Sequence, residues 1–156
     1  MCGIVGYTGR DQAVGYLIEG LRTLEYRGYD SAGVEILGTD GELHGVKCAG
    51  RVATLADRCE TANLVGTTGI AHTRWATHGA PTDRNSHPHR DCTGRIAIVH
   101  NGIIENFREL RGYLKRSGHE LVSETDSEVI AHLIEDAWAG PSKGDLVSAV
   151  RSACSR

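Results

Sequence analysis

The chain has 156 residues, a net charge of −3 and 24% charged residues, which suits one globular domain and gives no basic footprint for nucleic acid. No apolar run approaches the ~20 residues that a membrane span requires, and no signal-peptide pattern opens the chain. Its five cysteines (Cys2, Cys48, Cys59, Cys92 and Cys154) are odd in number and never fall in a C-x-x-C pair. That argues against a disulfide framework and for a reducing cytoplasm. In chain order, residues 3–8 (GIVGYT) read as a buried strand. Residues 11–25 follow as a helix with Val14, Leu17, Ile18, Leu21 and Leu24 on one stripe. Strands near 32–37 and 43–48 are joined by Thr39-Asp40-Gly41-Glu42, a hairpin signal. A short helix near 51–59 precedes a strand at 68–73. Residues 75–92 form a loop rich in Pro, His and Asn, long enough to carry function. A strand is expected at 95–100 (RIAIVH), then a helix at 104–116 with Ile104, Phe107, Leu110 and Leu114 on one face. Thr125-Asp126-Ser127-Glu128 has the spacing of a capping box, opening a helix that buries Val129, Ile130, Leu133 and Ile134. A last helical segment covers 144–154. Strands grouped with helices on both sides imply layers with sheets at the centre. There is no regular βαβ alternation, and no G-x-G-x-x-G follows the first strand, so a dinucleotide fold is not expected.

The residue with the most chemistry is the second. Initiator methionines are removed when the next residue is small, so the mature chain would begin at Cys2, followed by Gly3, Ile4, Val5 and Gly6. One residue then carries a thiol and an α-amino group that titrates at about 7.7–8.0, close to working pH. Nucleophile and general base can reside together in this way. The plain alternative is a small buried hydrophobe leading into a strand, the usual situation of an unpaired cysteine.

Residues 26–33 (YRGYDSAG), 72–79 (HTRWATHG), 100–106 (HNGIIEN) and 123–128 (SETDSE), taken with Cys2, closely resemble the glutaminase domain of the glutamine–fructose-6-phosphate aminotransferase family, a class II glutamine amidotransferase. The resemblance runs from Cys2 to about Ala153. It implies an α+β fold, a four-layer αββα sandwich of the N-terminal nucleophile hydrolase type, over residues 1–156. It also implies release of ammonia from L-glutamine. The chain stops before the later strands that such domains have, so a C-terminally truncated domain is expected. Fructose 6-phosphate would be met only through a sugar-phosphate domain that these residues lack. A homo-oligomer is expected, because missing strands leave sheet edges uncovered. A truncated or degenerate module that binds glutamine without turnover is the rival reading. An unrelated cysteine hydrolase using Cys2 and a histidine is a third.

Amide hydrolysis needs donors aimed where negative charge develops. Asn101 and Gly102 offer a side-chain amide beside an unhindered backbone N–H; outside the motif, Asn-Gly would read as a turn. The resemblance assigns Arg74 and Asp126 to glutamine. Arg74 can grip the α-carboxylate with its planar fork. Asp126 can take the α-ammonium, although an acid in the first turn of a helix is also favoured by the dipole alone. Trp75, Thr77 and His78 fall in what the family uses as a lid, and His87 resembles a pocket residue. Arg27 matches a motif position near the nucleophile, where a purely structural ion pair would serve as well. His72, His78, His87 and His89 have spacings that fit no zinc pattern, so neither metal nor cofactor is expected.

Overall fold

The computed structural model describes every residue except Met1, Tyr29, Ala76, Thr77, His78 and Pro141. Its elements are β1 (Gly3–Thr8), α1 (Ala13–Leu24), β2 (Ser31–Leu37), β3 (Leu43–Ala49), α2 (Val52–Ala62), β4 (Thr68–Arg74), β5 (His89–Arg90), β6 (Ala97–Ile98), α3 (Phe107–Arg116), α4 (Glu128–Ala139) and α5 (Leu146–Cys154). The main sheet runs β1-β4-β2-β3 with every pairing antiparallel.

Period-2 alternation decides what each face does. Ala32, Val34 and Ile36 of β2 and Ala71 of β4 point to one side. There they form a core with Leu17 and Leu21 of α1 and Val52 and Leu55 of α2, all buried. Ser31, Gly33 and Glu35 of β2, paired in register with Arg74, His72 and Ile70 of β4, face the other way. One face of the sheet is thus an ordinary apolar core, and the other brings polar side chains against the second half of the chain. Gly33 is required there: a Cβ would lie 2.1 Å from the His87 carbonyl oxygen, so only glycine lets the His87 segment lie flat on the sheet.

In the second half, β5 and β6 pair antiparallel. Leu110 and Leu114 of α3, Val129, Leu133 and Ile134 of α4, and Ala149 and Ala153 of α5 close a second core. Glu35 of β2 meets Arg90 of β5, and the Lys47 ammonium donates to the Pro88 carbonyl at 3.3 Å. The order is helix, sheet, sheet, helix. Among the described residues, no helix is long and apolar enough to cross a membrane.

Three sequence expectations shift. The strand expected over 95–100 is confined to Ala97–Ile98, and the loop over 75–92 contains a 3-10 turn, Asp83–Asn85, and β5. The capping box does not form: α4 starts at Glu128, and Ser127 makes no side-chain cap bond. The Glu128 carboxylate instead accepts from the Val122 and Ser123 backbone N–H groups, at 2.7 and 2.9 Å, and from the Ser123 hydroxyl at 2.8 Å. Thr125 is engaged elsewhere, its hydroxyl 2.9 Å from His89 Nε2. These bonds tie down the 121–127 segment, which carries Asp126, where an isolated helix would have used the same side chains to cap itself.

Candidate active site

Cys2 immediately precedes β1 and Trp75 immediately follows β4. Because Gly3 lies opposite Thr73, the two strand ends abut. The Trp75 backbone N–H donates to Cys2 Sγ at 3.3 Å, and the sulfur lies 3.7 Å from the Trp75 carbonyl oxygen. A donor on sulfur strengthens when the sulfur is charged. The thiol is half-buried and unpaired.

Asn101 comes from the segment after β6. Its Nδ2 donates to the Cys2 carbonyl oxygen at 3.3 Å, and its Oδ1 lies 2.7 Å from His72 Nε2. A carboxamide oxygen only accepts, so the network assigns the His72 proton to Nε2. His72 thereby fixes which way the Asn101 amide points. At Gly102 a Cβ would come within 2.7 Å of the His100 ring, which would have to shift. His100 is held in turn by Ser127, Nδ1 to Oγ 3.0 Å.

Arg74, two residues beyond His72 on the same face of β4, is buried. Its terminal nitrogens donate to the Ala80 and Gly79 carbonyls at 3.4 Å each. Asp126 is also buried, and its Oδ2 accepts the Ile104 N–H at 2.8 Å. Cys2, Arg74, Trp75, His87, Asn101 and Asp126 all line one cavity of about 40 Å³. Gly102 lines it too. Arg27 ends the short turn Glu25–Arg27 and is not among its described lining residues. Thr77 and His78 lie outside the described residues.

Sequence reasoning missed His72 as a positioning group, together with His100 and Ser127. The available signal was the two-residue spacing of His72 and Arg74 on a strand. A column of rings starts in the cavity wall with His72 and His87. His72 stacks on His87 with centroids 4.3 Å apart and planes 21° apart, and His87 meets His89 at 4.4 Å and 60°. Burial pushes the His72 pKa down to about 4, outweighing its bond to Asn101. Burial, then the neighbouring imidazoles and cations, lowers His87 and His89 as well.

An acid-sensitivity prediction follows from these directions. The folded pKa lies below the unfolded value of 6.5, so between them the unfolded chain binds more protons than the native one. Stability is then full above pH 6.5 and falls as pH drops towards about 4, by roughly 1.4 kcal/mol per pH unit for each such imidazole. Urea midpoints measured at neutral pH and near pH 5 should differ in that sense. Equal midpoints would show that the column accepts protons while folded.

Residues 72–146 match the family described as the glutamine amidotransferase domain. Over 156 residues, 100% of its length, the chain is 53% identical to glutamine–fructose-6-phosphate aminotransferase (isomerizing) of Clostridium tetani. It is 54% identical over a 157-residue alignment to the protein of the same name from Streptomyces coelicolor. The chain belongs to the glutamine amidotransferases. It spans 25% of each of these two relatives. Among solved structures, glutamine phosphoribosylpyrophosphate amidotransferase from B. subtilis, complexed with ADP and GMP, superposes with a TM-score of 0.80 at 25% identity, over 99% of this chain and 32% of that one. The allosteric regulatory enzyme of purine biosynthesis gives 0.82 at 26% identity, over 99% and 33%. The architecture is that of the N-terminal nucleophile amidotransferases, as the motifs implied.

Proposed function

We propose that this glutamine amidotransferase domain hydrolyses the side-chain amide of L-glutamine, using Cys2 as an N-terminal nucleophile once Met1 is removed. The observation that supports this most is convergence. A thiol before β1, a cation at the end of β4, an Asn-Gly pair after β6 and a carboxylate before α4 all line one cavity.

In this reading Arg74 pairs with the α-carboxylate of glutamine and the Asp126 carboxylate with its α-ammonium, which places the side-chain amide beside Cys2. The Cys2 α-amine, directly or through a water, takes the thiol proton. The thiolate attacks the amide carbon, a C–S bond forms, and the carbonyl oxygen becomes an oxyanion. One Asn101 amide proton is committed to the Cys2 carbonyl; the other, with the Gly102 N–H, receives the oxyanion. The α-ammonium returns its proton to the leaving nitrogen, ammonia departs, and water hydrolyses the thioester to glutamate. With Met1 attached the Cys2 nitrogen is an amide and cannot act as the base. In the full-length protein the ammonia would serve conversion of fructose 6-phosphate to glucosamine 6-phosphate, the reaction its relatives' name indicates, in the cytoplasm.

Intact mass measured together with glutamate release tests the reading: activity should track loss of Met1, and an active chain retaining Met1 would overturn it. Arg74→Lys keeps the charge but loses the planar fork, so it should mainly raise KM for glutamine. A fall in kcat at constant KM would show that Arg74 does not hold the substrate.

A further inference from the structure

Away from the cavity, four side chains from three separate segments meet with their donor atoms together. Cys92 lies between β5 and β6, His119 follows α3, and His132 and Glu135 stand one turn apart on α4. Their donor atoms all lie within 4.8 Å of one another. We propose that Cys92, His119, His132 and Glu135 form a structural zinc site.

Four of the six donor–donor distances are close to the edges of a tetrahedron, and the other two lie within 4.8 Å. With Zn–N and Zn–O bonds of about 2.0–2.1 Å and Zn–S of about 2.3 Å, ideal edges are about 3.3 Å between N or O atoms and about 3.6 Å between S and N. Cys92 Sγ lies 3.4 Å from His132 Nδ1 and 3.6 Å from His119 Nδ1. Glu135 Oε2 lies 3.1 Å from His119 Nδ1 and 3.3 Å from His132 Nδ1. One thiolate, two imidazoles and one carboxylate suit zinc, and four protein ligands leave no position for water or substrate.

The surroundings fit as well. His119 Nε2 lies 2.8 Å from Asp136 Oδ1, an arrangement that fixes the tautomer with the Nδ1 lone pair turned to the metal. Asp136 is itself held by the Tyr113 hydroxyl at 3.1 Å. The Glu120 backbone N–H donates to Cys92 Sγ at 3.4 Å, as suits a thiolate. His132 Nε2 points away from the cluster, 3.9 Å from Glu128 Oε1. The Glu135 Oε2 that faces both Nδ1 atoms also accepts the Cys92 N–H at 3.1 Å, so three polar groups crowd one carboxylate oxygen. His132 Nε2 is buried with no hydrogen-bond partner, which is costly. Coordination at Nδ1 would leave Nε2 as the protonated atom, turned towards the Glu128 carboxylate. The site would pin the β5–β6 connection and the chain after α3 to α4, the helix whose N-terminal flank carries Asp126.

Metal analysis of the whole chain, purified without chelator, tests the proposal. One zinc per chain is expected, retained in Cys2→Ala and lost in Cys92→Ser. Cobalt in its place should give tetrahedral d–d absorption with a sulfur-to-metal charge-transfer band, and that band should vanish in Cys92→Ser. Asp136→Asn leaves every ligand in place and should weaken zinc binding about 10–100-fold. Zinc added to the chelator-treated wild type should raise its melting temperature, a measurement that stands even if a ligand variant fails to fold. Substoichiometric metal with no thermal shift, a cobalt spectrum without the thiolate band, a different native metal, or zinc that leaves with Cys2 would each overturn the assignment.

Discussion

Cys2→Ala is expected to abolish glutamate release while leaving the protein folded. Losing the nucleophile of a covalent hydrolase removes the intermediate itself, and in a serine hydrolase it costs on the order of 10⁶ in kcat. No other described thiol lines the cavity, and Cys154 stands at the far end of α5 from Asp145, outside that lining. Cys48 and Cys59 lie in the core between the main sheet and its helices, and burial pushes the Cys59 thiol up to about 11, far from a working nucleophile. Cys92 belongs to the cluster on α4. Stability should change little, because Cys2 is only half-buried and its contacts are two long hydrogen bonds to the Trp75 backbone. Glutamine binding should survive too, since Arg74 and Asp126 are untouched. Melting temperature and calorimetric titration beside the kinetic assay separate these effects. Residual glutaminase activity in a folded Cys2→Ala protein would remove the N-terminal nucleophile from the mechanism.

How much was legible in the sequence depended on how local each feature is. Helix stripes such as Leu17/Leu21 and Leu110/Leu114 mark their buried faces directly, and the hairpin announces itself by Asp40-Gly41, with Gly41 at φ +83°. The candidate site was legible residue by residue through its motifs, and the structure brings Cys2, Arg74, Asn101, Gly102 and Asp126 together. What stayed hidden were bonds between distant segments. His72 and Asn101 are 29 positions apart, and nothing in either neighbourhood announces the pairing. The capping box misled because Glu128 and Thr125 have the right local spacing but are claimed by the 122–123 backbone and by His89. The α4 cluster escaped for the same reason: only the fold unites Cys92 with His119, 27 positions on, while His72, His87 and His89 pack against one another instead.

The Asn101–His72 pair allows a test that separates reacting geometry from binding. Asn101→Ala removes one oxyanion donor and should lower kcat by about 10²–10³, or roughly 2.7–4 kcal/mol, with KM nearly unchanged, because the oxyanion exists only after attack. His72→Phe keeps a ring to stack on His87 but removes the Nε2–H that holds Asn101 Oδ1 at 2.7 Å. The amide is then free to present its oxygen in place of its nitrogen, so kcat should fall in the same direction by a smaller factor, again at constant KM. If His72 acts only through Asn101, the double variant should be no slower than Asn101→Ala alone, a non-additivity expected of residues in one hydrogen-bond chain. Additive losses would mean that His72 contributes by a route of its own. A rise in KM without loss of kcat in Asn101→Ala would move Asn101 from the oxyanion to substrate binding.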